Sequence, residues 1–496
     1  MIISLTVLID NVTAKPLTET VSEKVELNGL FTNNMVIQRD TAAPIWGKAK
    51  PGEKITVIGS WGETASTTTK TNGKWMLKLQ TPEAGSGHTI TVKGTNTIEL
   101  KNVASGDVWV CSGQSNMVFQ MKKFIRVQSS GPPKDVVERN INLIKGKHEN
   151  LRVILLDKLK NYQSKPQEEF KVDTLFNNSW QSCTDSKITE AVSAVGFHFG
   201  HKLQNDLNVP IGLINSSAGG TRIILFTPPE AMTHETNPKI KSTAGLLFNS
   251  MIAPLMPFAI KGVIWYQGEN DIGTYSKYTK SFTGMISAWR KHWGQGNFPF
   301  LFVQLAGFHE ATDQAIEPDA RIPFLRESQS NALALPNTGM ASAIDVGTQK
   351  NIHPWAKQPV GHRLAAEAKR IAYGQKNTVS FGPLYDSMEI KGQTIIITFK
   401  HTGAGLLAKD VNLDGIKVSS DTIKGFAICG SDKKFFHANV QINGNAVHVS
   451  SPNVDKPVAV RYAWADFPIC NLYNKDGFPT NPFRTDNFIR NTQRKK

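Results

Sequence analysis

The feature that most constrains this chain is a change of texture along it. From about residue 105 to 375, short and wholly apolar runs alternate with stretches of helical periodicity. The runs are VWVCSG (108–113), VPIGLINSS (209–217), GVIWYQGE (262–269), FPFLFVQLA (298–306) and GMASAIDVG (339–347). Between them, Tyr278, Phe282, Met285 and Trp289 recur at helical spacing, as do Val360, Leu364, Ala368 and Ile371. Strands that are apolar on both faces must be covered on both faces. Strands alternating with helices achieve this as a parallel sheet between two helical layers. The pattern predicts an α/β fold of three layers, α/β/α.

On both sides of this stretch the period falls to two. KITVIGSW (54–61), WMLKLQT (75–81) and TITVKG (89–94) precede it; TIIITFKH (394–401), AVHVSS (446–451) and VAVRYAW (458–464) come after it. Turn residues separate these runs, as in all-β modules. The expected division is an N-terminal β module over 24–104, a catalytic domain over 105–375 and a C-terminal β module over 376–496, the modules being sandwich-like.

No apolar run approaches the roughly 18 residues of a membrane helix, which excludes a helical span. The net charge is +15. The basic residues are scattered and form no recognisable nucleic-acid motif, so a solvated basic surface is expected rather than a nucleic-acid interface. The start, MIISLTVLIDNVTAKP, reads either as the remnant of a leader or as an N-terminal strand; it lacks a basic segment, and Asp10 interrupts its apolar run. Cys111, Cys183, Cys429 and Cys470 are too dispersed for a disulfide framework or a metal cluster. Cys429 with Cys470 is the one pairing to entertain. Neither cofactor nor metal is expected, and the sequence sets no oligomeric state.

In open parallel sheets, sites form beyond the carboxyl ends of the strands. Here four runs end in groups suited to acyl transfer. The first ends in Gly113-Gln114-Ser115-Asn116. The second runs into Gly219-Gly220, and the third into Gln267-Gly268-Glu269-Asn270-Asp271. The fifth reaches Asp345, with His353 shortly after. The fourth ends near His309 and Glu310, to which no role is assigned. A serine hydroxyl needs an adjacent base, and a histidine base needs an acceptor that fixes its tautomer. The tetrahedral oxyanion needs pre-aimed donors, which a strand-end amide, a glycine amide and a side-chain carboxamide can supply. Each signal alone is weak. Their order on one side of one sheet is the informative observation.

These residues also carry a resemblance. GDVWVCSGQSNM (106–117) closely resembles the nucleophile block of sialate O-acetylesterases, a branch of the SGNH hydrolases. SAVGFHFGHKLQNDLNVPIGLINSSAGGT (193–221), GVIWYQGEND (262–271), FLRESQ (324–329) and AIDVGTQKNIHPWAKQPVGHRLA (343–365) resemble further blocks of that family. LFTNNMVIQRDTAAPIWGKAKPGEKITV (30–57) and VAVRYAWADFPICNLYNKDGFPTNPFRTD (458–486) look like its opening module and closing segment. The resemblance implies Ser115 as nucleophile and His353 as general base. It implies Gly219, with Gly220, and Gln267 as oxyanion-hole residues, and a metal-free removal of O-acetyl groups from sugars.

Two departures qualify it. Many SGNH hydrolases carry the acid three residues before the histidine, where this chain has Lys350. Thr348 and Asn351 replace the nearer acids of the family's histidine block, leaving Asp345, eight residues upstream, as the expected triad acid. Glu269, or a Ser–His dyad resting on a backbone carbonyl, are the alternatives. Ala218 and Phe226 stand where the family usually has tryptophan, which implies an altered pocket wall. Arg222 is a candidate partner for a substrate carboxylate, with Glu269 and Asn270 as further substrate-binding candidates.

The expected activity is that of a secreted or periplasmic serine carbohydrate O-acetylesterase working through an acetyl-enzyme. Its partner would be an acetylated carbohydrate: sialic acid, or a plant-type glycan such as xylan. A non-catalytic carbohydrate-binding protein on an esterase scaffold is the alternative from another class.

Overall fold

The computed structural model describes residues 22–126, 132–156, 162–170, 172–317 and 319–488. The N-terminal stretch read as leader or strand, and the basic tail, lie outside them.

The apolar runs form the sheet that the alternation predicts. Its strands are β1 (Thr97–Gly113), β2 (His148–Leu155), β3 (Gln181–Cys183), β4 (Ile211–Ser217), β5 (Gly262–Tyr266), β6 (Phe300–Gln304) and β7 (Thr338–Ser342), in the order β3-β2-β4-β1-β5-β6-β7. All neighbours are parallel except the short edge strand β3. After β1 the chain fills one side through β2 and β4, then crosses to β5, β6 and β7. The strand order therefore reverses at β1, where open α/β sheets place their ligands.

The helices that bear on the site are α1 (Ser115–Val118), α2 (Ala194–Leu207), α3 (Tyr275–Trp293), α4 (Ile322–Ser330) and α5 (Lys357–Ile371). Trp109 of β1 meets Phe199 of α2 edge-on at 5.0 Å. Trp265 of β5 meets Trp289 of α3 at 5.9 Å. Trp109 and Trp265 lie on opposite sheet faces, because Trp265 is in register with Ser112 and side chains alternate along β1. One helical layer thus covers each face. The expected stripe of Tyr278, Phe282, Met285 and Trp289 is buried.

The first expected boundary, between 104 and 105, falls inside a single unbroken strand. β1 is 17 residues long. Its first half pairs with Gly85–Lys93 and Val36–Gln38, its second half with β4 and β5. Ile55, Val57 and Val92 share one apolar cluster with Val108 and Val110. Arg39 closes bidentately on the buried Asp107 carboxylate at 3.1 and 3.2 Å.

The C-terminal region has a core of its own. Ile395, Ile397, Val447 and Val449 of one four-stranded antiparallel sheet cluster with Ile428, Val460 and Tyr462 of another. Its closing segment is bound into the helical layer. Fully buried Arg326 of α4 donates to the carbonyls of Leu305, Ala465 and Asp466 at 2.8–2.9 Å. Asp466 in turn accepts the Arg321 and Ile322 amides at 2.8 Å and caps α4. All four cysteines are buried and free, so the Cys429–Cys470 pairing is not formed. No helix among the described residues is long and apolar enough to cross a membrane.

Candidate active site

Three strand ends at the switch point finish level with one another. Gly113 is in register with Ser217 of β4 and Tyr266 of β5. Residues 114–116, 218–221 and 267–271 therefore emerge side by side. Gly113 has a φ of +131°, and a Cβ there would lie 2.2 Å from the Tyr266 carbonyl oxygen. Only glycine allows so sharp an exit beside a neighbouring strand. Gln114 then locks the turn: its amide donates to Tyr266 O at 2.9 Å, and its buried Oε1 accepts the Gly268 and Asn270 amides at 3.3 Å.

Ser115 opens α1 and is partly exposed. The Ala218 amide donates to Gly113 O at 3.0 Å, holding the glycine turn against the serine turn. A Cβ on Gly219 would lie 3.7 Å from the Ser115 Cβ, so this glycine flanks the serine directly. Among the described residues, the amides of Ser115 and Gly219 donate to no protein acceptor.

His353 lies on the loop between β7 and α5. Its backbone amide donates to Asn351 Oδ1 at 2.9 Å. The neighbouring Asn116 Nδ2 donates to Ile352 O at 3.0 Å. The residue after the serine thus grips the residue before the histidine. The imidazole is half-buried, and its pKa is held below the usual histidine value by burial, then by the Lys357 and Lys123 cations. It is a neutral base at neutral pH.

Asp345 is not placed as the partner of His353. Arg363 of α5 grips its two oxygens at 2.6 and 2.7 Å, and Tyr473 Oη donates to it at 2.9 Å. Burial opposes its ionisation, but Arg363 and Tyr473 outweigh burial and keep the carboxyl below its ordinary range. Proximity in sequence suggested a catalytic acid; the fold uses Asp345 to fasten the C-terminal region to α5. Neither imidazole nitrogen of His353 has a hydrogen-bond partner among the described residues.

Gln267 also differs from expectation. It is fully buried, and Nε2 donates to Thr221 O at 3.1 Å and to Asp271 Oδ2 at 2.6 Å, while Oε1 accepts Tyr278 Oη at 2.9 Å. Both amide hydrogens are committed to the scaffold, leaving none for an oxyanion. Asn270 is the exposed carboxamide of the same turn. Its Nδ2 donates one hydrogen to Gly220 O at 3.1 Å, and the other has no partner among the described residues.

Arg222 turns Nε to Asp271 at 3.2 Å and Nη2 to Thr274 at 3.0 Å, and its Nη1 has no partner among the described residues. Glu269 is partly exposed, but its carboxylate turns inward to Asn116, and burial raises its pKa. It is therefore not aimed at substrate. Phe226 is fully buried against Trp265 at 5.3 Å, so that departure from the family alters the core and not the pocket wall. Sequence reasoning missed two residues, Asn116 and Lys357. Both are buried and hydrogen-bonded to each other beneath Ser115. The available signals were adjacency to the serine and a lysine four residues after the histidine.

Residues 105–370 match the family described as carbohydrate esterase, sialic acid-specific acetylesterase. Sialate O-acetylesterase of Mus musculus is 29% identical, over 91% of this chain and 92% of its own length. The Homo sapiens enzyme is 28% identical, over 91% of each chain. A carbohydrate acetylesterase of known structure from Xanthomonas citri superposes with a TM-score of 0.81 and 33% identity, over 94% of this chain and all of its own. The chain is a carboxylic ester hydrolase that removes O-acetyl groups from carbohydrate, and it belongs to the sialic acid-specific acetylesterase family of carbohydrate esterases.

Proposed function

We propose that Ser115 is the nucleophile and His353 its general base. The observation that carries this reading is the Asn116-to-Ile352 hydrogen bond, which draws the serine turn and the histidine loop together. Ser115 Oγ attacks the acetyl carbonyl carbon while His353 takes the hydroxyl proton. The oxyanion is met by the amides of Ser115 and Gly219 and by the free N–H of Asn270. Collapse of the tetrahedral intermediate breaks the bond to the sugar oxygen, which leaves with the proton from His353. Water, deprotonated by His353, then attacks acetyl-Ser115; the acyl–Oγ bond breaks, His353 returns the proton to Ser115 Oγ, and acetate leaves. With Asp345 engaged elsewhere, Ser115 and His353 work as a dyad.

The substrate is an O-acetylated sugar. Sialic acid comes first, on the names of the mammalian relatives, and an acetylated plant-type glycan second, on the broader description of the Xanthomonas structure. An enzyme for such glycans acts in the periplasm or outside the cell. The test is acetate release from an aryl acetate, O-acetylated sialic acid and acetylated xylan by the wild type and Ser115→Ala. Turnover abolished in a folded variant is the expected result, and the preferred substrate names the specificity. Full turnover by folded Ser115→Ala would refute the nucleophile; a folded wild type inert on all three would favour a binding scaffold.

A further inference from the structure

Beneath Ser115 lies a charged cluster that the proposed catalytic steps do not use. Lys357, the first residue of α5, is fully buried. Its ammonium stands 4.8 Å from the Phe119 ring centroid and 5.5 Å from that of Tyr266, and it donates to Asn116 Oδ1. Asn116 is 1% exposed. Its Nδ2 donates to the Glu269 carboxylate as well as to Ile352 O. Glu269 Oε2 is sealed from solvent without a partner among the described residues. A buried cation and a buried carboxylate thus flank one neutral carboxamide, each through a charge-assisted hydrogen bond.

The place of that carboxamide gives the cluster its meaning. Asn116 follows Ser115, Ile352 precedes His353, Lys357 begins α5 four residues after His353, and Glu269 precedes Asn270. One side chain therefore joins the turns of the nucleophile, the base and the third strand end. We infer that Asn116 is a positioning residue, and that the Lys357–Asn116–Glu269 relay holds His353 to Ser115 for acyl transfer. This rests on Ser115 and His353 being nucleophile and base.

The chemistry of the three groups supports it. Only a carboxamide offers an acceptor to the lysine and two donors to Glu269 and Ile352 O; an aspartate of the same shape would set lone pairs against both acceptors. Burial brings the Lys357 ammonium down to about 7 and raises the Glu269 carboxyl, so each ion depends on the other across the amide. Removing one partner leaves the other charge uncompensated, whereas removing both does not.

The experiment compares Asn116→Ala, Asn116→Asp, Lys357→Met, Glu269→Gln and the Lys357→Met/Glu269→Gln double variant, with Ser115→Ala as reference. The readouts are kcat and KM on an aryl acetate, the rate of Ser115 labelling by a fluorophosphonate, and thermal melts. Asn116→Ala should lose about 100-fold in kcat with KM nearly constant, and labelling should slow in parallel; Asn116→Asp should be worse. A purely structural role would not slow labelling of a protein with unchanged melting. Each single charge variant should lose activity, and the double variant should exceed both. That coupling carries the test if Asn116→Ala does not fold. The relay is overturned by folded Asn116→Ala with wild-type kcat and labelling, or by a double variant whose loss is the product of the two single losses. An active Ser115→Ala would instead refute the nucleophile itself, a distinguishable failure.

Discussion

The two carboxamides of the third strand end make opposite demands, and replacing each with alanine separates them. Asn270→Ala removes an exposed side chain with one hydrogen bond, 3.1 Å to Gly220 O. Losing it should cost less than about 1 kcal/mol of stability. Losing an oxyanion donor costs about 3–4 kcal/mol of transition-state stabilisation, or 10²- to 10³-fold in kcat. KM should move little, because the donor acts on charge that develops only in the transition state.

Gln267→Ala should behave in the reverse way. Its fully buried amide serves Thr221 O, Asp271 Oδ2 and Tyr278 Oη. Truncation strands the Thr221 carbonyl and takes one bond each from Asp271 Oδ2 and Tyr278 Oη, which keep the Ile223 amide and the residue-267 carbonyl; at roughly 1–3 kcal/mol for the unpaired group and about 0.5–1.5 for each lost bond, it should cost about 2–6 kcal/mol. The melting temperature should fall by about 2–6 °C, at about 1 °C per kcal/mol for a chain of 496 residues. The assay is kcat and KM on an aryl acetate, normalised to the folded fraction, beside thermal melts of both variants. Wild-type kcat in Asn270→Ala, together with a folded Gln267→Ala slowed 10²-fold or more, would refute the reasoning and return the donor role to Gln267.

Three further outcomes are expected. Asp345→Asn should leave kcat of the folded fraction unchanged but destabilise the protein by about 3–5 kcal/mol in urea unfolding, because it strands the largely buried Arg363; a kcat collapse without destabilisation would make Asp345 the triad acid after all. The acid limb of kcat/KM should lie below the ordinary histidine value, since burial, Lys357 and Lys123 all disfavour the His353 imidazolium. Removing exposed Lys123 as Lys123→Gln should shift that limb upward by a few tenths of a pH unit, and a pH–rate profile that stays put or moves down would contradict it. Burial, helped by His362, His201 and Arg139, brings His198 down to about 3. Below about pH 6.5 the unfolded chain takes up a proton that folded His198 refuses, so stability falls with pH by about 1.4 kcal/mol per unit until the folded value is reached. Urea unfolding of His198→Gln between pH 7 and 5 should show that slope reduced by one proton.

Period and strand order made the catalytic sheet legible in the sequence. Apolar runs at 108–113, 209–217, 262–269, 298–306 and 339–347 became parallel strands because nothing but burial on both faces accommodates them. Ser115, Gly219 and the 267–271 turn came together because β1, β4 and β5 end in register. The allocation of polar groups once they meet was not legible. Asp345 stands in the histidine block, but Arg363, at the far end of that block, and Tyr473, distant in sequence, reach it first. Gln267 and Asn270 share one turn and one carboxamide chemistry, yet one points into the scaffold and the other out of it. A linear pattern encodes which residues reach a strand end; it does not encode which hydrogens remain free there. That second question is decided by competition among partners that only the folded chain assembles, as the Lys357–Asn116–Glu269 cluster also shows. The residues of a catalytic surface are therefore best assigned by asking which donors the scaffold has left unused, and by that test Asn270 ranks above Gln267 and a dyad above the Asp345 triad.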